Sequence, residues 1–365
     1  VNKQRTNMKN ILKIGLVVLT SVAMNSISFA GELSVTGSAN ARYQIMSSDS
    51  TSAGNNLDKG LGVTNEFDLG ASGELDNGMT WNYQIQIDPG AVNETAGGVD
   101  YDDAKLTLTS DYGTVGAFIS EGSLGVKYSS WNPSAYGVAS DTGNGFGMKY
   151  APNIGAYDNL QYHLPADMLP MSTTVKLAYS PACNAKYSSG GTAARTDTTH
   201  DCSQYQVTTQ PVDGLTLSAD YMEFGDSRGT HASSREGGSY GVKYAIGAVT
   251  VGYGKSFENS GVVGTATYAA VKDTALANYE SLENTAYGIG FKVNDDLSVS
   301  YTSEESNPDA ATASVSTYTM TIESMQAAYT MGGMTLSISH DKAENSDYIQ
   351  NQNEKETLFA VGMAF

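Results

Sequence analysis

Arg42, Lys105, Lys149, Lys176, Lys243 and Lys292 share one setting in this sequence: each lies one position out of phase with a row of aromatic and aliphatic residues. Glu66, Asp68, Asp88, Asp103 and Asp220 are spaced by the same rule. Charges spread this way along a chain do not form a reaction centre, because none is fixed beside a nucleophile. They can set an electrostatic potential along a wetted wall and so attract or repel small ions. The bland reading of each residue is that it only keeps that wall hydrated.

Bond-making chemistry finds little support. A Ser/His/acid set needs a histidine held against its nucleophile. Of the four histidines, His200 and His231 fall in polar loop-like stretches, His163 lies in an irregular connection, and His340 sits near the end of an alternating segment. No GxSxG, HExxH, P-loop or paired CxxC occurs, and the glycines of "GIGF" at Gly288 have no phosphate-loop context. The reading is not an enzyme and carries no cofactor. The acids Asp100, Asp102 and Asp103 have the oxygen ligands that Ca²⁺ takes, although a solvated loop edge explains them as well. Cys183 and Cys202 are the only cysteines, and they bracket a polar stretch rich in Ser, Gly and Thr. In an oxidising compartment that arrangement reads as a disulfide across a loop.

The elements that must position these residues are strands. In "TWNYQIQID", Trp81, Tyr83, Ile85 and Ile87 alternate with Asn82, Gln84, Gln86 and Asp88. "ELSVTGSANARYQ", "DAKLTLTS", "TVKLAYS", "GLTLSADY", "SYGVKYAIG" and "NDDLSVSYTSEE" follow the same period of two, which is the mark of a strand with one apolar and one polar face. The 39 glycines and 23 tyrosines suit turns and strands rather than helices. A soluble sandwich also alternates. Here, though, aromatic residues gather near strand ends and charges stand in mid-strand on the polar face, as in a barrel with a lipid-facing outside and a hydrated inside.

The connections support that choice. Short turns ("LDNGM", "SDYGT", "QPVDGL", "AIGAV", "NDDL", "MGGM") take turns with long loops near 47–60, 89–101, 122–144, 182–201, 226–236, 258–283, 306–317 and 343–354. Such parity is the layout of a transmembrane antiparallel β-barrel, with periplasmic turns and extracellular loops. The segment 153–171 could hold an extra strand around Leu160–Leu164. Reading it instead as one long periplasmic connection preserves parity and gives about 16 strands, an even number.

The amino end differs in kind. Lys9 and Lys13, an apolar run from Ile14 to Met24 and the close Ser28-Phe29-Ala30 form the parts of a cleavable export signal. Residues 1–30 are therefore expected to be removed, leaving 31–365 as one barrel domain. The remaining chain has 16 basic residues against 39 acidic ones, a net charge of −23. Nucleic acid is an unsuitable partner for such a surface, and cations are suitable ones.

The chain closes on "ETLFAVGMAF", in which Thr357, Phe359, Val361, Met363 and Phe365 alternate up to a terminal aromatic. That ending resembles the C-terminal signal of Gram-negative outer-membrane proteins. With the export signal, "GELSVTGSANARYQ" and "SDYGTV" before a long loop, the chain is similar to the general diffusion porins. The similarity is to the sixteen-stranded trimeric type, and it resembles the porins of alphaproteobacteria.

The resemblance implies an outer-membrane homotrimer in contact with lipid and lipopolysaccharide. Its water-filled pore for small hydrophilic solutes and ions would be narrowed by a third loop folded inward. In the family, acids on that loop face a basic cluster on the wall. Here the loop "SLGVKYSSWNPSAYGVASDTGNG" carries only Asp141, with Glu121 at its root, and also Lys127. This departure suggests a constriction shaped by Tyr128, Trp131 and Tyr136, and the acidic balance suggests weak cation preference. The other readings are a substrate-selective channel and a plugged structural or adhesive barrel.

Overall fold

A computed structural model of the chain describes residues 31–48, 58–89, 99–125, 131–141, 146–165, 167–183, 201–225, 235–260, 279–310 and 316–365. They form sixteen strands. The first eight are β1 (Glu32–Ser48), β2 (Asp58–Glu74), β3 (Thr80–Pro89), β4 (Val99–Ser110), β5 (Gly113–Ile119), β6 (Asn159–His163), β7 (Thr174–Ser180) and β8 (Cys202–Val212). The others are β9 (Leu215–Phe224), β10 (Glu236–Ile246), β11 (Val249–Asn259), β12 (Tyr279–Lys292), β13 (Leu297–Ala310), β14 (Met320–Met331), β15 (Met334–Glu344) and β16 (Glu354–Ala364). Each pairs antiparallel with its neighbours in sequence, and β1 pairs with β16, so the sheet closes without an edge. Closure is what permits strands in hydrocarbon, since every ladder N–H and C=O finds a partner inside the sheet.

The period of two places one row of each strand outside. Leu33, Val35, Leu61, Val63, Tyr287, Ile289, Phe291, Met325 and Tyr329 are exposed large apolar residues, and Leu61 is 82% exposed. Such a surface is wrong for water and right for lipid. At one end the strands join by tight turns in which Gly214 and Gly332 take positive φ (75° and 61°), a conformation that costs glycine nothing.

The terminal aromatic has a structural task. Phe365 exchanges two backbone hydrogen bonds with Gly37 (2.8 and 2.9 Å), extending the β1–β16 seam by one rung. Its ring lies 5.6 Å from that of Phe67 on β2, so the last side chain covers the seam from outside.

One expectation needs correction. The segment 153–171 is not a single connection, because Asn159–His163 forms β6. Parity survives because residues 146–153 are not a strand; they belong to the third loop, which therefore runs on to Tyr157. The five residues of β6 are too few to show a clear alternation, and Pro165 and Pro170 beside them read as loop.

Cys183 and Cys202 are joined in a disulfide with Cα atoms 6.0 Å apart. Both sulfurs sit in a buried cluster with Leu124, Ile154, Ala178, Met222 and Phe224, inside the barrel mouth. The bond thus fastens the base of the fourth loop to the wall beside the root of the third. In the chain-entropy picture a loop of this size is worth about 3 kcal/mol, much of it already supplied by the strands. We expect no alkylation of the native protein without reductant, and reduction should lower thermal stability slightly while leaving the strands paired. Two thiols labelled before reduction, read by mass spectrometry, would contradict this.

Candidate functional site

Inside the barrel, the row out of phase with the lipid face is polar, and the third loop divides it into two arcs. The loop leaves β5 at Ser120 and follows the inner wall toward β14, with residues 126–130 and 142–145 outside the described chain. Trp131 and Pro133 lie against glycines of β10, β11 and β12. Ala135 N–H donates to Ser300 Oγ on β13 (2.9 Å). Tyr136 and Gly137 N–H both donate to Gln326 Oε1 on β14 (2.9 and 3.2 Å), and Gln326 Nε2 donates back to the Gly137 carbonyl (2.7 Å). The short 3-10 turn Ala139–Asp141 presents Ser140 Oγ and the backbone N–H groups of Ala139 and Ser140 to the Glu304 carboxylate of β13.

The loop then returns. Ala139, Phe146 and Met148 pack with Met320, Ile322, Ala343 and Tyr348, an apolar core enclosed within the lumen. Lys149 N–H donates to Tyr348 Oη (2.9 Å), and Asn284 Nδ2 of β12 donates to the Lys149 carbonyl (3.2 Å). Ile154 N–H ends the run on Gln204 Oε1 of β8 (2.8 Å).

These contacts bury the inner row of one arc. Gln204, Ser256, Asn284, Thr302, Glu304, Ser324, Gln326, Ser339 and Asp341, on β8 and β11–β15, are each at most 4% exposed. On β1–β4 the inner row stays partly or fully open to solvent, as at Arg42, Thr64, Glu66, Asp68, Gln84, Asp103 and Lys105. The solvent-open part of the inner wall is therefore β1–β4, which faces the loop. Tyr136 reaches across to it. Asn40 Nδ2 donates to Tyr136 Oη (3.2 Å), and the Arg42 guanidinium carbon lies 6.0 Å from the tyrosine ring.

The sequence-predicted charges distribute unevenly over this geometry. Arg42, Glu66, Asp68, Asp103 and Lys105 stand on the open arc. Lys105 Nζ pairs with Glu121 at the loop root (2.7 Å), and Asp68 accepts from Gln84 Nε2 (2.7 Å). Lys176 and Lys243 are half-buried on β7 and β10, away from that arc. Asp220 is buried on β9, where it accepts from Gln204 Nε2 (2.9 Å) and from Ser239 Oγ. Lys292 lies at the turn end of β12, paired with Asp295 (3.0 Å).

Two expectations are corrected. Lys149 is not on a strand but on the returning limb of the loop. Trp131 does not shape the constriction, since it is 6% exposed and turned onto the wall. Lys127, Tyr128, His200 and His231 lie outside the described residues, as do the side chains of Asp88, Asp100, Asp102 and Asp141, so the calcium expectation falls there too. The described histidines make plain polar contacts, His163 Nε2 with Gln161 Oε1 (2.7 Å) and His340 Nδ1 with Thr357 Oγ1 (2.9 Å).

Sequence reasoning missed the residues that hold the loop, chiefly Gln326, Glu304, Ser300 and Gln204. Alternation marks each as inward and polar, but no local signal ties it to a partner up to 190 residues away.

A closed sixteen-stranded barrel with a lipid-facing exterior and a polar lumen narrowed by one inserted loop is an outer-membrane diffusion channel. The family described as Gram-negative porin matches residues 15–365, and the chain belongs to that family. Its members are channels and not enzymes, and they reside in the outer membrane. Among solved structures, the Salmonella typhi OmpF complex with daunomycin superposes with a TM-score of 0.64 at 12% identity, covering 92% of this chain and 98% of that one. The anion-selective porin of Comamonas acidovorans gives 0.61 at 11%, covering 92% and 100%. Vibrio cholerae OmpT in its trimer form gives 0.59 at 10%, with the same coverage. No curated protein sequence matches the chain. At these identities the structural likeness speaks for the fold alone.

Proposed function

We propose that this porin passes small hydrophilic solutes and ions without binding them, with a weak preference for cations. The observation carrying this reading is the solvent-accessible arc of β1–β4. There Glu66, Asp68, Asp103 and, at the loop root, Glu121 outnumber Arg42 and Lys105, while the other strand lysines stand elsewhere. Reversal potentials in a KCl gradient test the sign. We expect cation preference at low salt that fades as added salt screens the charges. Marked anion selectivity would mean that Arg42 governs the narrow part and would overturn the ranking. Conductance that saturates with one solute would favour a substrate-selective channel, and none at all a plugged barrel.

The role of Arg42 follows. A unit charge about 6 Å from a passing ion in water is worth about 0.7 kcal/mol, roughly a threefold change in local concentration. Arg42→Ala should therefore raise the cation-to-anion permeability ratio by up to about threefold at low salt and little at high salt. An unchanged ratio at low salt would remove Arg42 from the constriction.

The working form is a homotrimer in this proposal. β5, β6 and β7 have seven, five and seven residues, short of the roughly 9–11 that a strand needs to cross a membrane. That low wall calls for cover by protein. The rest of the outer face meets lipid. Toward the loop end outward tyrosines donate to glutamates, Tyr205 to Glu223 (3.3 Å) and Tyr301 to Glu323 (2.9 Å), which suits the zone of lipopolysaccharide head groups. Residues 1–30 serve as the export signal and are removed.

A further inference from the structure

Five glycines stand on the inner row of three adjacent strands: Gly241 on β10, Gly252 and Gly254 on β11, Gly288 and Gly290 on β12. The register sets Gly241 opposite Gly254 and Gly252 opposite Gly288, so they form one patch of wall without side chains. None has the positive φ that would demand glycine. Glycine inside a strand weakens it, so such a cluster marks close approach by something else.

The occupant is the tip of the third loop. A Cβ at Gly241 would lie 2.4 Å from three ring atoms of Trp131. At Gly252 it would lie 1.8 Å from the Trp131 carbonyl oxygen, a backbone atom that cannot swing aside. At Gly288 and Gly290 it would meet Pro133 at 3.1 and 3.0 Å. Trp131 is 6% exposed, and its indole Nε1 has no hydrogen-bond partner among the described residues. The ring is held by shape.

We propose that this glycine socket and Trp131 together position the third loop, and thereby set the width and steadiness of the pore. The proposal rests on the diffusion-channel reading. Trp131 and Pro133 lie side by side on the wall, and Ala135–Gly137 follow within the same limb, so a displaced tip carries Tyr136 with it toward the open arc. Close-packed groups pass strain on to their neighbours instead of absorbing it. To restore ordinary contact at Gly252, the loop backbone must retreat from the wall by about 1.5 Å. The only direction available is into the lumen.

The test uses the full-length protein, with heat-modifiable migration confirming that each variant has folded. Single-channel conductance and liposome swelling with sugars of graded size are then compared. Gly252→Ala should lower conductance roughly twofold and reduce the largest sugar admitted. Gly241→Val should do the same, and adding Trp131→Ala should restore both readings, because the small side chain makes room for valine. Trp131→Ala alone should give an open channel with larger current noise. If Gly252→Ala fails to fold, the Gly241→Val pair decides. Folded Gly241→Val with the conductance and sugar cut-off of the native protein overturns the proposal, as does a drop that Trp131→Ala does not reverse. A native protein that conducts nothing would count against the channel reading itself, before any variant is compared.

Discussion

Replacing Gln326 by leucine is expected to give a channel of lower and unsteady conductance in a barrel that still folds. The side chain keeps nearly the same volume but loses every polar atom. Four hydrogen bonds vanish together, three of them to the loop: those from the Tyr136 and Gly137 N–H groups to Oε1 and that from Nε2 to the Gly137 carbonyl, with the fourth from Nε2 to Ser324 Oγ (3.1 Å). Gln326 is 4% exposed, so the stranded backbone groups would not simply exchange a partner for water. Leaving a buried donor or acceptor unpaired costs about 1–3 kcal/mol. With three such groups, the loop does better by lifting its middle off β14 into solvent.

The same movement displaces the tyrosine ring from its present place against Arg42 and Asn40, so ion preference should shift along with conductance. The strands are held by their own ladders, and the thermal transition should move little. Planar-bilayer recordings with a parallel melting curve check both halves. Native conductance in Gln326→Leu, with the barrel intact, would show that Gln326 does not hold the third loop.

The outer face of this molecule was legible in the sequence because lipid imposes a strict rule on it. One apolar row per strand is enough to place Leu61, Tyr287 or Met325 outside. The inner face follows no comparable rule. Ser300 and Thr36 are both small, polar and correctly phased, yet Ser300 is 8% exposed, accepting a bond from the third loop, while Thr36 is open. Which of them water reaches depends on where a loop 100 or more residues away comes to rest.

The inner row also breaks its own pattern where loops cover it. Met222, Met320 and Ile322 face inward and are fully buried, since their neighbours are loop side chains and not water. Aromatic residues mislead in the same way. Tyr136 lies over the passage, whereas Trp131, five positions earlier in a similar polar stretch, is pressed onto glycines. The sequence carried that second fact as well, in "GYG" at Gly252 and "GIG" at Gly288. It could be read only once the loop was seen to rest there.

Leu160→Arg is expected to abolish the heat-stable oligomer while leaving a monomer that folds as a barrel. Leu160 lies on β6 in register with Ala117 and Tyr179, on the outward row of the shortest strand. Five residues extended at about 3.3 Å each reach about 17 Å even without tilt, against an apolar band about 25 Å tall. Above β6 the wall continues as irregular chain tied by side chains, as where Asn159 Nδ2 donates to the Glu121 and Tyr157 carbonyls, and a wall without a strand ladder is poorly suited to lipid. Other copies of the chain can cover this side, burying Val115, Ala117, Leu160 and Leu177 against a neighbour.

A guanidinium placed there would be introduced three times in a trimer, once in each protomer, in a desolvated seam with no matching acid among the residues just named. Even facing lipid, an outward arginine near the midplane costs about 2–4 kcal/mol. A closed barrel absorbs that once, but a seam suffers it at every protomer contact. Unheated gel migration and detergent sizing should show monomers with native circular dichroism. A control arginine at Val251, outward on the longer β11, should leave the oligomer in place. Retention of the oligomer in Leu160→Arg, or its loss only in Val251→Arg, would move the protomer contact to another side of the barrel.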